Sequence, residues 1–372
     1  MRITEVAIFR IDLPLADPFQ HATSGSVTAL QEVVAAVRTD AGIVGYGEVR
    51  GNCTYVTGDT PERLVGVASH LAPLLIGEPL EEIAPLVHRI ERAVVGNSGA
   101  KALLDIALHD AAARARGVSV ATLLGGRMHD RLPTDAGIAF GPPEAADEET
   151  RRYVRQGYRL IKFRVGLGFR QDEARLAAIR GAIDDELGGE EVTLAADANG
   201  VWQPKETVEY LRRWEKYRLG WIEQPVGHED FEGMRFVREN VGIPVMADES
   251  AKGPREVLRL VEMRAVDLLH FKLIKAGGFV PLRTVMGIAE AAGIPYMIGG
   301  MDDGMLASAA AVQAAAASRA RWFEVHGWKR VKTQPYRGLE MEGGTMIVPP
   351  APGLGVEVDE KALTCVHVVR CR

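Results

Sequence analysis

Asp197, Glu223 and Asp248 each close a short apolar run (VTLAAD, GWIE and PVMAD) and are 26 and 25 residues apart. That spacing constrains the fold more than any other feature of the chain. A strand, a helix and two short connections take up about one such interval in a sheet wound from βα units. Further apolar runs share the rhythm: DAGIAF, RLIKFRV, DLLHFKL, IPYMIGG and RWFEVHG. Amphipathic stretches such as EETRRYVRQG and PKETVEYLRRWEKY lie between them. Eight strands alternating with helices predict an α/β protein built on a (β/α)8 TIM barrel. The rival, a doubly wound open sheet, lacks its G-x-G-x-x-G after an early strand.

The first 125 residues read differently. ITEVAIFRIDL and LQEVVAAVRTD are β-branched runs, and a turn at 40–42 leads into IVGYGEV. Pro61 stands where a helix can begin, and SGAKALLDIALHDAAARARG is one continuous helical pattern. Strands followed by helices predict an N-terminal α+β capping domain over 1–125. The barrel is then expected over 126–335, and a tail, 336–372, should pack back on and complete the capping domain. Two polar segments, ADPFQHATSGS and GNCTYVTGDTP, read as loops.

Composition removes several classes of function. The 372 residues carry a formal net charge of −6 with both signs mixed, so no basic face for nucleic acid is expected. Nothing approaches the roughly 18 uninterrupted apolar residues of a membrane span, and the alanine-rich stretch 307–317 reads as a buried helix. Cys53, Cys365 and Cys371 are too few and too scattered for a disulfide framework or a zinc site. They predict a reducing, cytoplasmic setting, in keeping with an N-terminus that alternates like a strand.

The strand ends carry the chemistry. Three carboxylates at the same height in one cavity require a cation, because unpaired buried carboxylates are prohibitively costly. All-oxygen donors suit Mg2+. Lys272 follows Asp248 by 24 residues, and alternation puts it on one face with His270. Lys162 and Arg164 likewise share a face. A barrel lysine whose pKa is lowered by burial or a nearby cation is a usable base. Asn199, Glu249, Asp302, Asp303 and Glu324 stand beside these positions as candidate substrate contacts or supports. His326 shares a face with Glu324 and reads equally well as a packed histidine. In the loops, His21, Thr23, Tyr55 and Thr57 are candidate specificity contacts.

Taken together, TDAGIVGYGE, AKALLDIALHDAAARARGVSVATLLGG, LIKFRVG, DANGVW, WIEQPV, MADES, FKLIKAGG, IGGMDDG and PPAPGLGV resemble the enolase superfamily over nearly the whole chain. Within it they resemble the muconate lactonizing enzyme subgroup more than the mandelate racemase one, since Asp302 and Asp303 stand where the latter has a seventh-strand histidine. The resemblance implies Mg2+ on Asp197, Glu223 and Asp248, and abstraction of the proton next to a carboxylate to give an enediolate. It implies a small-molecule carboxylate substrate, mobile capping loops and a homo-oligomer. It also implies bases on the second and sixth strands, with Lys272 matching the sixth-strand lysine and Glu324 the eighth-strand acid. The second strand departs from the family's K-x-K, reading Lys162, Phe163, Arg164. Arginine hardly deprotonates near neutral pH, which weakens a two-base reaction and leaves Arg164 as a fixed cation. The readings, in order, are an isomerase (a racemase or epimerase of an amino-acid derivative or related carboxylate), a lyase dehydrating a β-hydroxy or sugar acid, a cycloisomerase, and a relative that binds without turnover.

Overall fold

The computed structural model describes residues 1–21, 25–187 and 192–371. Eight parallel strands form one sheet in chain order: Ala136–Ile138, Leu160–Arg164, Thr193–Asp197, Trp221–Glu223, Val245–Ala247, Leu268–Lys272, Tyr296–Gly299 and Trp322–Glu324. A parallel bridge between Thr134 and Phe323 joins the last strand to the start of the first, so the sheet closes into a barrel. The apolar runs were legible because both faces of these strands are buried, which favours unbroken Val, Ile, Leu and Ala.

The inner floor is a separate apolar layer of Leu160, Ala195, Trp221, Met246, Leu268 and Met297. Packed side chains therefore plug the end of the barrel where the strands begin, and the polar residues collect at the other end. The alanine-rich stretch forms the helix Met305–Ala316, and every one of its residues is buried.

A second sheet is antiparallel and places the C-terminal strand Thr364–Arg370 beside Ile3–His21, then Gly25–Thr39 and Val44–Arg50. The tail thus completes the capping sheet. Its middle portion goes elsewhere: Glu340–Glu342 pairs with Thr345–Ile347, which in turn pairs with Arg131–Pro133 at the entry to the barrel. The long helix Ser98–Ala115 lies across the sheet so closely that two glycines are obligatory. A Cβ at Gly45 would meet the Ala111 nitrogen at 2.2 Å, and one at Gly47 the Leu103 carbonyl oxygen at 2.2 Å.

Carboxylates from the capping domain fasten it to the barrel. Asp105 accepts hydrogen bonds from the Phe279 and Val280 amides (2.7 and 3.3 Å), the first turn of the barrel helix Phe279–Ala291. Glu32 and Glu48 accept from the Gly304 and Ala307 amides (3.2 and 2.8 Å), at the start of Met305–Ala316. Helix N-termini offer unpaired amides and a favourable dipole for such groups.

One expectation is corrected. The segment 16–27, read as a polar loop, is mostly ribbon: Ile3–His21 pairs with Gly25–Thr39 past a register shift between Pro14 and Phe19, through Phe19 to Val27 and His21 to Gly25. Ala16, Asp17 and Pro18 are exposed, so the burial that produces strand-like alternation is absent there. Its base reaches the barrel mouth, where Leu15 bridges Val331. Thr23 and the side chain of His21 lie outside the described residues.

Candidate active site

At the C-terminal end of the barrel lies a cleft with about 840 Å3 of empty space. Lys162, Arg164, Asp197, Asn199, Asp248, Glu249, Lys272, Asp302 and Glu324 all line it, as does Tyr55 from the 51–60 loop. Asp303 does not. It turns away, accepting from the Met301 amide (2.7 Å) and facing the Glu48 and Arg50 side chains. Thr57 is engaged locally with the Asp59 amide (3.4 Å).

Strand register sets the heights. Arg164 pairs with Asp197, and Asp197 with Glu223, so these three are level. Glu223 pairs with Met246, so Asp248 stands two residues further along its chain rather than level with the other two. Two residues preserve the side-chain face, so all three acids still point inward. Asn199 and Gln224, just past the acids, both adopt positive φ (43° and 36°), an uncommon backbone for residues other than glycine. Gln224 straps the next strand end in place: its Oε1 accepts from the Asp248 and Ser250 amides, and its Nε2 donates to Ser250 Oγ (2.8 Å).

Buried ion pairs tie the acids to cations. Lys162 Nζ lies 3.3 Å from both Glu223 oxygens and 2.6 Å from Glu324. Lys272 Nζ is 2.8 Å from Asp248 and 3.6 Å from Glu324. His270 is buried beneath the cleft, its Nδ1 2.9 Å from Glu223 and its Nε2 3.4 Å from Glu324. The ring needs Gly299 beside it, since a Cβ there would sit 2.2 Å from Nε2. Lys275, which the sequence reading passed over, contacts the Asp248 carboxylate and donates to the His270 carbonyl (2.8 Å). Its only sequence signal is one more cation in LIKAGG.

These neighbours decide protonation. Burial works to lower the Lys272 ammonium, but Asp248 and Glu324 outweigh it and hold the group well above the ordinary lysine value. Lys162 behaves alike, under Glu223 and Glu324. Of these three lysines, only Lys275 shows the lowered pKa expected from burial. Burial, and then the charge of Glu223, pushes Asp197 up to about 7. Glu249 is pushed up to about 8 by burial and by Asp248 and Asp197. One Glu249 oxygen, Oε2, is buried without a hydrogen-bond partner among the described residues.

A second polar group forms the cleft wall where the barrel closes. His326 Nδ1 lies 3.1 Å from Asp135 Oδ1 and 3.3 Å from Thr134 Oγ1. Arg330 Nε lies 3.2 Å from Asp302. Asp135 and Arg330 were not singled out in the sequence.

The comparisons with known proteins fit this layout. Residues 3–125 match the mandelate racemase / muconate lactonizing enzyme N-terminal domain, and residues 145–362 match the enolase C-terminal domain-like family. The chain belongs to the enolase superfamily. Within this superfamily it is 35% identical over 362 residues to the L-Ala-D/L-Glu epimerase of Clostridium acetobutylicum, covering 96% of this chain and 99% of the relative. It is 31% identical over 366 residues to the N-succinyl-L-Arg/Lys racemase of Bacillus cereus, covering 98% and 97%. The crystal structure of a dipeptide epimerase from Cytophaga hutchinsonii, complexed with Mg and the dipeptide D-Ala-L-Val, superposes with a TM-score of 0.93 at 27% identity, covering all of both chains. The chain is thus an enolase-superfamily enzyme, and these relatives are isomerases.

Proposed function

We propose that the protein is a Mg2+-dependent racemase or epimerase acting on the carbon next to a carboxylate, with an N-substituted amino acid or dipeptide as substrate class. The observation that carries this reading is the row of Asp197, Glu223 and Asp248 at successive strand ends, with Asp197 and Asp248 lining the cleft, Glu223 buried, and Lys162 and Lys272 3.3 Å from Glu223 and 2.8 Å from Asp248. Their inward oxygens are hard donors suited to Mg2+. The fit is supported by the carboxylates themselves: Asp197 and Glu249 are forced upward by burial and like charge, and an oxygen of Glu249 is left without a partner among the described residues. A dication relieves that strain. Among the described residues, Glu223, Asp248 and His270 offer donor atoms within 4.8 Å of one another. Both ring nitrogens of His270 already face carboxylates, which favours Asp197 as the third ligand and His270 as the group that orients Glu223.

Bound Mg2+ supplies electrostatic stabilisation of the negative charge that builds on a substrate carboxylate as its α-proton leaves. Lys272 takes that proton on one face. It is placed for this by Asp248, and an ion drawing on the same carboxylate weakens the hold that keeps the ammonium protonated. Lys162, clasped by Glu223 and Glu324, provides fixed positive charge. Arg164 does the same with two parallel donors for a carboxylate oxygen pair. The elimination reading has no observation here that favours it.

The test is α-proton exchange in deuterated water with Mg2+, over a panel of dipeptides and N-succinyl amino acids. The expected result is deuterium at the α-carbon with the skeleton intact and loss of optical purity, both abolished by EDTA and restored by Mg2+. A keto-acid product, or exchange that survives EDTA, would refute the proposal.

A further inference from the structure

Inversion at the α-carbon needs a proton donor on the face opposite Lys272, and the second strand does not offer one. Arginine is a poor proton shuttle near neutral pH, which disqualifies Arg164. Lys162 Nζ is already clasped by two carboxylates, 3.3 Å from Glu223 and 2.6 Å from Glu324.

The wall between the eighth and first strands supplies what is missing. His326 follows Glu324 by two residues and lines the same cleft as Lys272. Its Nδ1 is taken by Asp135 (3.1 Å), with Thr134 Oγ1 at 3.3 Å. Asp135 is buried, and its second oxygen has no hydrogen-bond partner among the described residues. The imidazole is therefore the main hydrogen-bonding outlet for this carboxylate. The Asp135 contact fixes the tautomer with the proton on Nδ1, leaving Nε2 as the working nitrogen. Fixing a histidine through one nitrogen so that the other can transfer a proton is a recurrent acid–base arrangement.

Resting on the proposed racemase or epimerase function, we propose that His326, held by Asp135, is the second proton-transfer residue, acting on the substrate face opposite Lys272. In one direction the α C–H bond breaks toward Lys272 Nζ, and its electron pair passes into the carboxylate. The new C–H bond forms with the proton carried on His326 Nε2, leaving a neutral imidazole. In the other direction His326 takes the proton and Lys272 returns one. Exchange with solvent resets both groups.

The surroundings favour the charged imidazole needed for the donating step. Burial works to lower the His326 pKa, but the charge of Asp135 and its hydrogen bond outweigh that and raise it, with Glu324 and Asp302 adding. Arg164 and Arg330 line the same wall and work against protonation.

The experiment uses full-length enzyme with Mg2+ and four probes: L-Ala-L-Glu, L-Ala-D-Glu, N-succinyl-L-arginine and N-succinyl-D-arginine. For His326→Asn we expect inversion to fall at least ~100-fold. One stereoisomer of a pair should keep α-proton exchange near the wild-type rate while the other loses it. Lys272→Ala should give the opposite pattern. Inversion by His326→Asn at the wild-type rate, a rise in KM alone, or equal loss of exchange from both stereoisomers overturns the assignment. A wild-type enzyme that exchanges none of the four probes counts against the proposed function. The dyad is then decided without substrate, by 15N spectra of the histidine rings with Mg2+ alone. A signal missing in His326→Asn should show the Nδ1–H tautomer and titrate above free histidine, and Asp135→Asn should move it down. An Nε2–H tautomer, or a titration that Asp135→Asn leaves in place, overturns it.

Discussion

At the scale of single residues, the acids and lysines of the cleft are proposed to do different jobs, and substitution should separate them. Lys272→Ala is expected to cut turnover of a confirmed substrate by at least ~1,000-fold, because it removes the group proposed to take the α-proton. It should leave Mg2+ affinity nearly unchanged, which calorimetry measures directly. Glu223→Gln should do the reverse first, weakening Mg2+ binding by about tenfold or more, since a charged ligand becomes a neutral one. Titration with Mn2+ followed by electron paramagnetic resonance would check it, and unaltered affinity would remove Glu223 from the ligand set. The three acids and Lys272 were legible because each sits at the end of an apolar run, one barrel unit from the last. Asp135 and His326 were not legible as a pair, because they meet only where the barrel closes, 191 residues apart in sequence. Lys275 was hidden because a lysine just past a strand looks solvent-facing until the helix turns it back under Asp248.

At the scale of elements, the barrel strands were easy to read and the capping ribbon was not, for one physical reason. A strand buried on both faces must be apolar throughout, whereas a two-stranded ribbon in solvent has no face to mark. The glycines of VGYGEV do a task the sequence hinted at only as a hairpin. They let the helix Ser98–Ala115 touch the backbone of the sheet. Gly47→Ala is expected to cost roughly 1–3 kcal/mol or more in urea unfolding, since the clash is with backbone atoms that cannot rotate away. Gly42→Ala is a useful contrast. Its cost should come from a φ of +77°, because no atom lies within 4 Å of the added Cβ. A fully tolerated Gly47→Ala would mean that the helix and sheet sit further apart than described.

At the scale of the whole molecule, the junction between capping domain and barrel carries buried acids whose protonation is linked to folding. Burial, with the charge of Asp303 adding, pushes Glu48 up to about 7 from an ordinary 4.5. Glu32 lies well above its ordinary value, through burial and the charges of Glu48 and Asp303. A carboxyl raised in the folded state favours folding fully below its unfolded pKa, and that contribution is lost as pH climbs through the folded value. For Glu48 the window runs from 4.5 to about 7. Glu48→Gln keeps an oxygen for the Ala307 amide and cannot ionise. Its thermal midpoint should therefore gain on the wild type by a few degrees as pH rises across that window. Parallel midpoints for the two proteins would show that Glu48 does not titrate at the junction.

The same contacts limit how this enzyme can be recombined with its relatives. Asp105, Glu32 and Glu48 belong to the N-terminal part of the chain, and the amides they cap open two barrel helices more than 160 residues later. A chimera that took its capping domain from one parent and its barrel from another would bury these carboxylates against unfamiliar backbone. The 51–60 loop, whose Tyr55 lines the cleft, is thus inherited together with the barrel, unless the crossover also carries the two helix starts at Gly278 and Gly304.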